Sequence, residues 1–342
     1  MRELAQEVLA GEEAWVVGGA VRDELLGREV VDFDIACGRP EEAARAYAKR
    51  SGGAPFPLSE RHGAWRVALD EGRTVDFTPL QDGIEADLAS RDFTINAVAV
   101  PLAGGEPVDP FGGRGDLERR VLRAVSPSVF EADPLRLLRA VRLEDELGFR
   151  MDDETARLVE AHALLVDRPA GERIYAELVR LSVEGLRRAA ELGLLEPLGG
   201  KADRLGLAGS VDSSRFRLVA VFGERLSALP VPNELRRYTT ALLNAEAPAD
   251  GSPRAIHRFR RRTEPWALDA LAFVGAQEHA DAVRAARADD PGEPLLRGDE
   301  LGIPEGPEVG RLLDLVEEER AAGTISTKDE ALELVRRELA AS

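Results

Sequence analysis

Trp15-Val-Val-Gly-Gly-Ala-Val-Arg-Asp-Glu-Leu-Leu-Gly-Arg-Glu-Val-Val-Asp-Phe-Asp-Ile35 decides how this chain is read. Residues 15–17 are an apolar, β-branched run that Gly18-Gly19 breaks. Residues 21–26 have helical spacing, and Gly27 closes that helix. A second strand is expected over 30–35, carrying Asp32 and Asp34. Side chains alternate across a strand, so these two carboxylates share one face. Side by side they repel, and a core tolerates them only with a cation between them. Mg²⁺ suits the pair, because it binds through one or two carboxylates and substrate phosphates. The glycines expose bare N–H groups at a helix start, where a phosphate can sit. Arg22, one turn into the helix, adds a charge-assisted contact. Each part has a plainer reading: a turn, a solvated edge strand, an Arg22–Asp23 surface pair. The combination over so short a span points to phosphoryl or nucleotidyl transfer.

A chain of 342 residues suggests about two domains, or more small ones. It has no apolar run long enough for a membrane span and no signal peptide, and it opens on an amphipathic helix, so a cytoplasmic protein is expected. The single Cys37 excludes an internal disulfide framework and reads as strand filling. The net charge of −18 should repel a polyanion, so RNA contact has to come from local arginine clusters. Such clusters occur at Arg136, Arg139 and Arg142, at Arg187 and Arg188, and at Arg258 with Arg260, Arg261 and Arg262. Lysine is confined to Lys49, Lys201 and Lys328, a bias of composition rather than of function.

Further along, a helix is expected over 41–50, then two strands over 65–69 and 73–78 joined by the Asp70-Glu-Gly72 turn. Asp76 on the second of these is either a third metal or general-base carboxylate or a polar edge residue. Ser90-Arg91-Asp92-Phe93-Thr94-Ile95-Asn96 opens an apolar run into the core. Arg91 and Asp92 at its mouth form a cap and ion pair, or hold a ribose and a phosphate. A helix start is expected at Asp116-Leu117 and a short strand over 121–125. From Asp133 onward the period is helical, with Asp133-Pro134 as N-cap and first residue of a helix reaching Leu147. Further helices are expected near 152–165, 171–185, 212–227, 232–247, 265–274, 277–288, 307–322 and 328–340. Pro169, Gly199-Gly200, Pro230, Pro253, Pro291 and Pro304 punctuate them.

The order Val-Gly-Gly-x-Val-Arg-Asp-x-Leu-Leu-Gly, Asp-x-Asp, Arg-Asp-Phe-Thr-Ile-Asn-Ala and Asp-Pro-Leu-Arg-x-Leu-Arg-Ala resembles the bacterial-type tRNA nucleotidyltransferases and poly(A) polymerases. These are the class II CCA-adding enzymes of the polymerase-β-like superfamily. The match runs through residues 16–181, about half of the chain, and the segment 295–310 resembles that family's C-terminal part. The resemblance implies an α+β fold: a nucleotidyltransferase head with a mixed β-sheet over 1–125, a helical neck that selects the base over 126–185, a helical body over 186–290 and an RNA-binding tail over 291–342. It implies that Asp32 and Asp34 bind metal, that Gly18, Gly19 and Arg22 bind phosphate, and that Arg91 and Asp92 recognise the ribose. Two Mg²⁺ ions on the aspartates are expected, one activating the RNA 3′-hydroxyl and the other neutralising the triphosphate. It puts base selection on Asp133 and Arg136, with Arg139 as a triphosphate or base-stack partner, and a neck-steadying role on Glu172, Arg173 and Glu177. The partners implied are the tRNA 3′ end, CTP and ATP; oligomeric state is left open. The chain departs from the family pattern at Gln81, Ser90 and Ala132, and it lacks a His-Asp phosphohydrolase signature.

Base selection makes sense on chemistry alone. Cytosine and adenine both offer an amine donor beside a ring-nitrogen acceptor, whereas uracil and guanine offer a carbonyl beside an N–H. A carboxylate that accepts and an arginine that donates fit the first pair and mismatch the second. Asp133 and Arg136 are three apart, so both can face one ligand, or form a cap with a local ion pair. The rival readings are a partial enzyme adding only CC or only A, a poly(A) polymerase, a non-catalytic RNA-binding relative, and a nucleotidyltransferase acting on a small molecule or protein. Intact Asp32 and Asp34 argue against the binding relative, and the helical portion with Asp133/Arg136 against the last.

Overall fold

A computed structural model describes residues 1–59, 63–290 and 292–341, which divide into two compact units, Met1–Leu198 and Gly199–Ser342. The first unit opens with helix α1 (Arg2–Val8), strand β1 (Ala14–Val17), helix α2 (Gly19–Leu25) and strand β2 (Asp32–Cys37). Helix α3 (Pro40–Ser51) follows, then β3 (Ala54–Ser59), β4 (Ala64–Ala68), β5 (Thr74–Pro79), helix α4 (Ile84–Ala89) and β6 (Ala99–Pro101). The six strands form one mixed sheet in the order β3-β4-β5-β2-β1-β6. β2 and β5 are parallel; every other neighbouring pair is antiparallel. A parallel pair needs a long crossover, and α3 with the β3–β4 arms supplies it. Pro40 presets the first turn of α3, and Gly52, at φ 77°, ends it where a side chain would be strained.

The two faces of the sheet differ. On one, Val16, Phe33, Ile35, Val67, Val75 and Phe77 pack against Ala44 and Tyr47 of α3. On the other, Val17, Ala36 and Ala99 of β1, β2 and β6 meet Ile84 and Leu88 of α4. Alternation along β2 therefore sends Phe33 and Ile35 into the core beneath α3 and Asp32 and Asp34 onto this second face.

The chain then runs through α5 (Gly113–Arg119), β7 (Val121–Leu122), α6 (Val129–Ala132) and α7 (Arg136–Leu147) to β8 (Arg150–Met151), which pairs in parallel with β7. Helices α8 (Asp153–Ala161), α9 (Gly171–Leu178) and α10 (Val183–Glu191) complete the unit. The expected helix over 171–185 is thus two helices. Ser182 breaks it: its hydroxyl accepts from Gly185 N at 3.1 Å as an N-cap, while Asp145 accepts both its N–H and its O–H.

The second unit is all helical: α11 (Leu205–Ala208), α12 (Ser214–Phe222), α13 (Asn233–Leu243), α14 (Pro253–Thr263), α15 (Ala267–Val274), α16 (Ala280–Ala288), α17 (Pro307–Ala321) and α18 (Lys328–Ala341). Sequence reasoning missed α14 because it took Pro253 as a break. Pro253 is instead the first residue, capped by Ser252 accepting from Ala255 N at 3.3 Å, and a proline there starts a helix. The expected punctuation at Pro291 lies outside the described residues. Among the described residues no helix is long and apolar enough to cross a membrane.

Candidate active site

One cavity of about 570 Å³ in the first unit gathers Gly18, Gly19, Arg22, Asp32, Asp34, Arg91, Asp92, Asp133, Arg136 and Arg139. Asp76 is not among its lining residues. A second cavity of about 580 Å³ beside His162 and Arg168 offers a single carboxylate, Glu131, and nothing resembling the paired acids.

Local geometry makes the elbow. Gly18 turns at φ 69°, which a side chain would resist, and a Cβ there would stand 3.1 Å from both Arg91 Nη1 and Asp34 Oδ2. Glycine is needed for the turn and for the close approach. Asp32 lies at the exposed start of β2, its Oδ1 accepting from the Thr74 hydroxyl at 2.8 Å. Asp34 is more enclosed. Burial pushes its carboxyl up to about 6; Arg91 pulls it back, and the nearby Asp76 and Asp32 charges push it further up.

The parallel register sets Asp76 directly beside Asp34 and Thr74 beside Asp32. Asp76 is buried, and both its oxygens accept from Arg66, at 2.7 Å each. Among the described residues no group of three His, Cys, Asp or Glu side chains is arranged to hold a metal ion. The donor set is therefore two hard carboxylates, Asp32 and Asp34. This suits a cation that completes its shell from water and phosphate, and does not suit a soft metal. Cys37 is buried, and burial pushes its thiol up to about 11, so it behaves as strand filling and not as a nucleophile.

A network of bonds ties the cavity wall together. Arg22 grips Asp23 through Nε and Nη2 and donates to Asn96 Oδ1 at 2.9 Å. Asn96 donates to Asp92 at 2.9 Å, and Arg139 donates twice to the other Asp92 oxygen, at 2.9 and 2.7 Å. Burial alone would raise the Asp92 carboxyl, but Arg139, Asn96 and the Phe93 N–H together hold it below the usual carboxylate range. Arg91 is anchored by Asp87, with its Nη1 turned to Gly18. Behind Arg139, Glu177 receives Arg142, which also binds Glu146.

Asp133 and Arg136 do not pair with each other. The Asp133 carboxylate accepts from Leu135 N at 3.2 Å, in the manner of an N-cap, and from Arg173 Nη2 at 2.8 Å. α7 itself is counted from Arg136, two residues later than the sequence suggests. Arg136 donates to the backbone carbonyls of Ser90 at 2.7 Å and Val129 at 3.5 Å and makes no ion pair among the described residues. Burial and the nearby Arg139 and Arg91 charges lower its pKa, partly offset by Asp92 and Asp133. Sequence reasoning overlooked Arg66 and Asn96, whose places follow from register and turn geometry. It also overlooked Arg28, a cavity-lining arginine for which Gly27-Arg28 after a helix gives no distinctive signal.

The family model for the poly(A) polymerase head domain matches residues 14–81 and 64–123. The chain is 51% identical to the CC-adding tRNA nucleotidyltransferase of Geobacter sulfurreducens, over 49% of this chain and 40% of that relative. It is 32% identical to the A-adding tRNA nucleotidyltransferase of Deinococcus radiodurans, over 95% of each chain. A solved complex of a CCA-adding enzyme with ATP superposes with a TM-score of 0.78 over 98% of this chain and 93% of that one, at 21% identity, which shows a common fold.

Proposed function

The chain belongs to the family of tRNA nucleotidyltransferases, and from that membership we propose that it adds C and A to the 3′ end of tRNA, using CTP and ATP and no nucleic-acid template. The observation that carries this reading is the convergence in one cavity of a carboxylate pair, a glycine elbow and the Asp133/Arg136 pair. Asp32 and Asp34 are the residues that would hold Mg²⁺. Bound there, the metal would neutralise the triphosphate and make the RNA 3′-hydroxyl a better nucleophile.

The rest is done by side chains of this chain. The bare N–H groups of the Gly18–Gly19 elbow and the Arg91 guanidinium receive the triphosphate. Arg22, fixed by Asp23 and Asn96, keeps its charge at the same wall. Arg139, Asn96 and the Phe93 N–H hold Asp92 ionised, and a ribose hydroxyl would reach it by displacing one of these donors. Asp133, oriented by Arg173, accepts from the exocyclic amine of C or A, and Arg136 donates to the neighbouring ring nitrogen. Uracil or guanine would instead set a carbonyl against the Asp133 carboxylate and an N–H against the Arg136 guanidinium, which is a basis for rejection. The 3′-hydroxyl attacks the α-phosphorus in line, its proton is lost to solvent, and pyrophosphate leaves without a covalent enzyme intermediate. Asp76, saturated by Arg66, acts through its charge on Asp34 and not as a free base.

The test uses tRNA transcripts ending before CCA, before CA and before A, each offered one labelled nucleotide. Label from CTP on the first two and from ATP on the third is expected. Extension that ends after CC, or begins only at CC, reduces the activity to that of a CC- or A-adding enzyme. A run of A on any acceptor makes it a poly(A) polymerase, and no incorporation at all overturns the enzyme reading.

A further inference from the structure

The row of residues that crosses the sheet through Asp34 extends beyond the carboxylates. The register sets Asp34 beside Asp76, Asp76 beside Arg66, and Arg66 beside Phe56 on β3. Directly paired residues present their side chains on the same face, so all four stand on the face opposite α3. The Arg66 side chain is 32% exposed, and its Nη1 has no partner among the described residues. Phe56 is 42% exposed, and Leu58, in the bulge that follows, 44%. An aromatic ring left in water on an edge strand adds little to the fold, and beside a reaction centre it offers a stacking surface. Neighbouring strands lie about 4.8 Å apart, so Phe56 is about 14 Å across the sheet from Asp34.

We propose that Arg66 and Phe56 form a landing strip for the 3′-terminal nucleotides of the RNA acceptor, with a base stacked on the Phe56 ring and a backbone phosphate on the outer side of the Arg66 guanidinium. The proposal rests on the nucleotidyl-transfer reading above. Three features of the strip favour a nucleic-acid occupant. The strip is continuous with the carboxylates, where the reacting hydroxyl must lie. Arg66 keeps a cation on the open face next to three acids that would otherwise repel an RNA strand. β3 is an edge strand, and its Pro55 and Pro57 have no N–H to offer, which discourages a protein partner from adding a strand there. A single RNA strand needs only the ring face and the cation.

The test is steady-state extension of a tRNA transcript lacking CCA by Phe56→Ala. The KM for RNA should rise about tenfold, the size of one lost base–aromatic stack, with the KM for CTP unchanged. Phe56→Trp should restore the RNA KM. RNA should quench its extra indole emission without any nucleotide present. Arg66→Gln should flatten the dependence of log RNA affinity on log salt by about 0.7, the loss of one phosphate contact. An unchanged RNA KM in Phe56→Ala, or equal rises for RNA and CTP, overturns the proposal. So does a change in mass by light scattering with RNA binding intact, which would make the patch a contact between copies. A wild-type chain inert on every acceptor would instead sink the activity reading, and quenching of Phe56→Trp by RNA would still report on the strip.

Discussion

The candidate active-site cavity and helix α14 are both rich in arginine, but they differ in how completely its charge is matched. In α14 every arginine is spent on a carboxylate. Arg254 and Arg258 bind Glu318, Arg254 also Glu319, Arg260 binds Glu264 and Asp290, Arg261 binds Asp314, and Arg262 binds Glu246. Arg187 and Arg188 of α10 are likewise paired, with Glu184, Glu144 and Glu191. In the cavity Arg22, Arg91, Arg139 and Arg173 are also paired, but the matching is incomplete at two points. Arg136 binds only carbonyls, and Asp34 sits against two other acids. The arginine clusters of α10 and α14 are thus already matched by carboxylates within the fold. What distinguishes the cavity is charge that the fold holds in place without cancelling it, and such frustration persists where a ligand relieves it.

The strongest blow to this contrast would come from Asp32→Ala. Asp32 is exposed and its loss should leave the melting curve in place, while nucleotide incorporation falls by roughly a thousandfold or more. Substantial residual activity would mean that the unbalanced carboxylates are not the working ones.

Next in size is Arg142→Ala. Arg142 is a buried arginine of helix α7, as Arg136 is, and it does have partners, Glu177 and Glu146. Removing it leaves buried carboxylate uncompensated, and chemical denaturation should show a loss of about 3–5 kcal/mol. A neutral result would mean that the network around Arg142 is ornamental.

Asp34→Asn sharpens the comparison from the other side, because it should stabilise the metal-free protein. The raised carboxyl pKa means that the folded state binds a proton more readily than the unfolded chain between the ordinary value of 3.8 and about 6. The cost of ionising Asp34 in the fold is therefore absent below the lower value and complete above the upper one. The gain on substitution should reach up to about 3 kcal/mol at pH 8 and vanish near pH 4. Melting both proteins in chelator at the two pH values checks the sign; equal curves at pH 8 would remove the frustration argument.

The smallest effect belongs to α14. Arg262→Ala breaks an exposed pair and should cost about 0–1 kcal/mol, with RNA affinity changed less than about twofold. A large loss of RNA binding would show that the paired arginines swap their carboxylates for phosphates.

Much of the first unit was legible before its coordinates. The strand, glycine elbow, helix and Asp-x-Asp strand fall within one or two residues of β1, α2 and β2, because each depends on alternation, helical spacing and glycine punctuation within a few residues. Asp32 and Asp34 share a face for the same reason. Helix α14 was missed and 171–185 was read as one helix because single residues, Pro253 and Ser182, change meaning with the cap they make. The residues of the cavity wall were partly named; of their bonds the Arg22–Asp23 pair was foreseen as the plainer reading, and Arg139–Asp92 and Arg173–Asp133 were not.

The sequence by itself determined the spacing of the acids, the glycine turn and the switch from a mixed sheet to helices, all of which are set by neighbours in the chain. Tertiary structure alone decided that β5 would lie parallel to β2 and bring Asp76 and Arg66 beside Asp34. It also decided that Arg173 and not Arg136 would take the Asp133 carboxylate, and that the arginines of α14 would be neutralised. Strand register and charge compensation join residues tens of positions apart. Which partner a charge finds depends on what packing and burial bring within reach of it, and no local pattern encodes that.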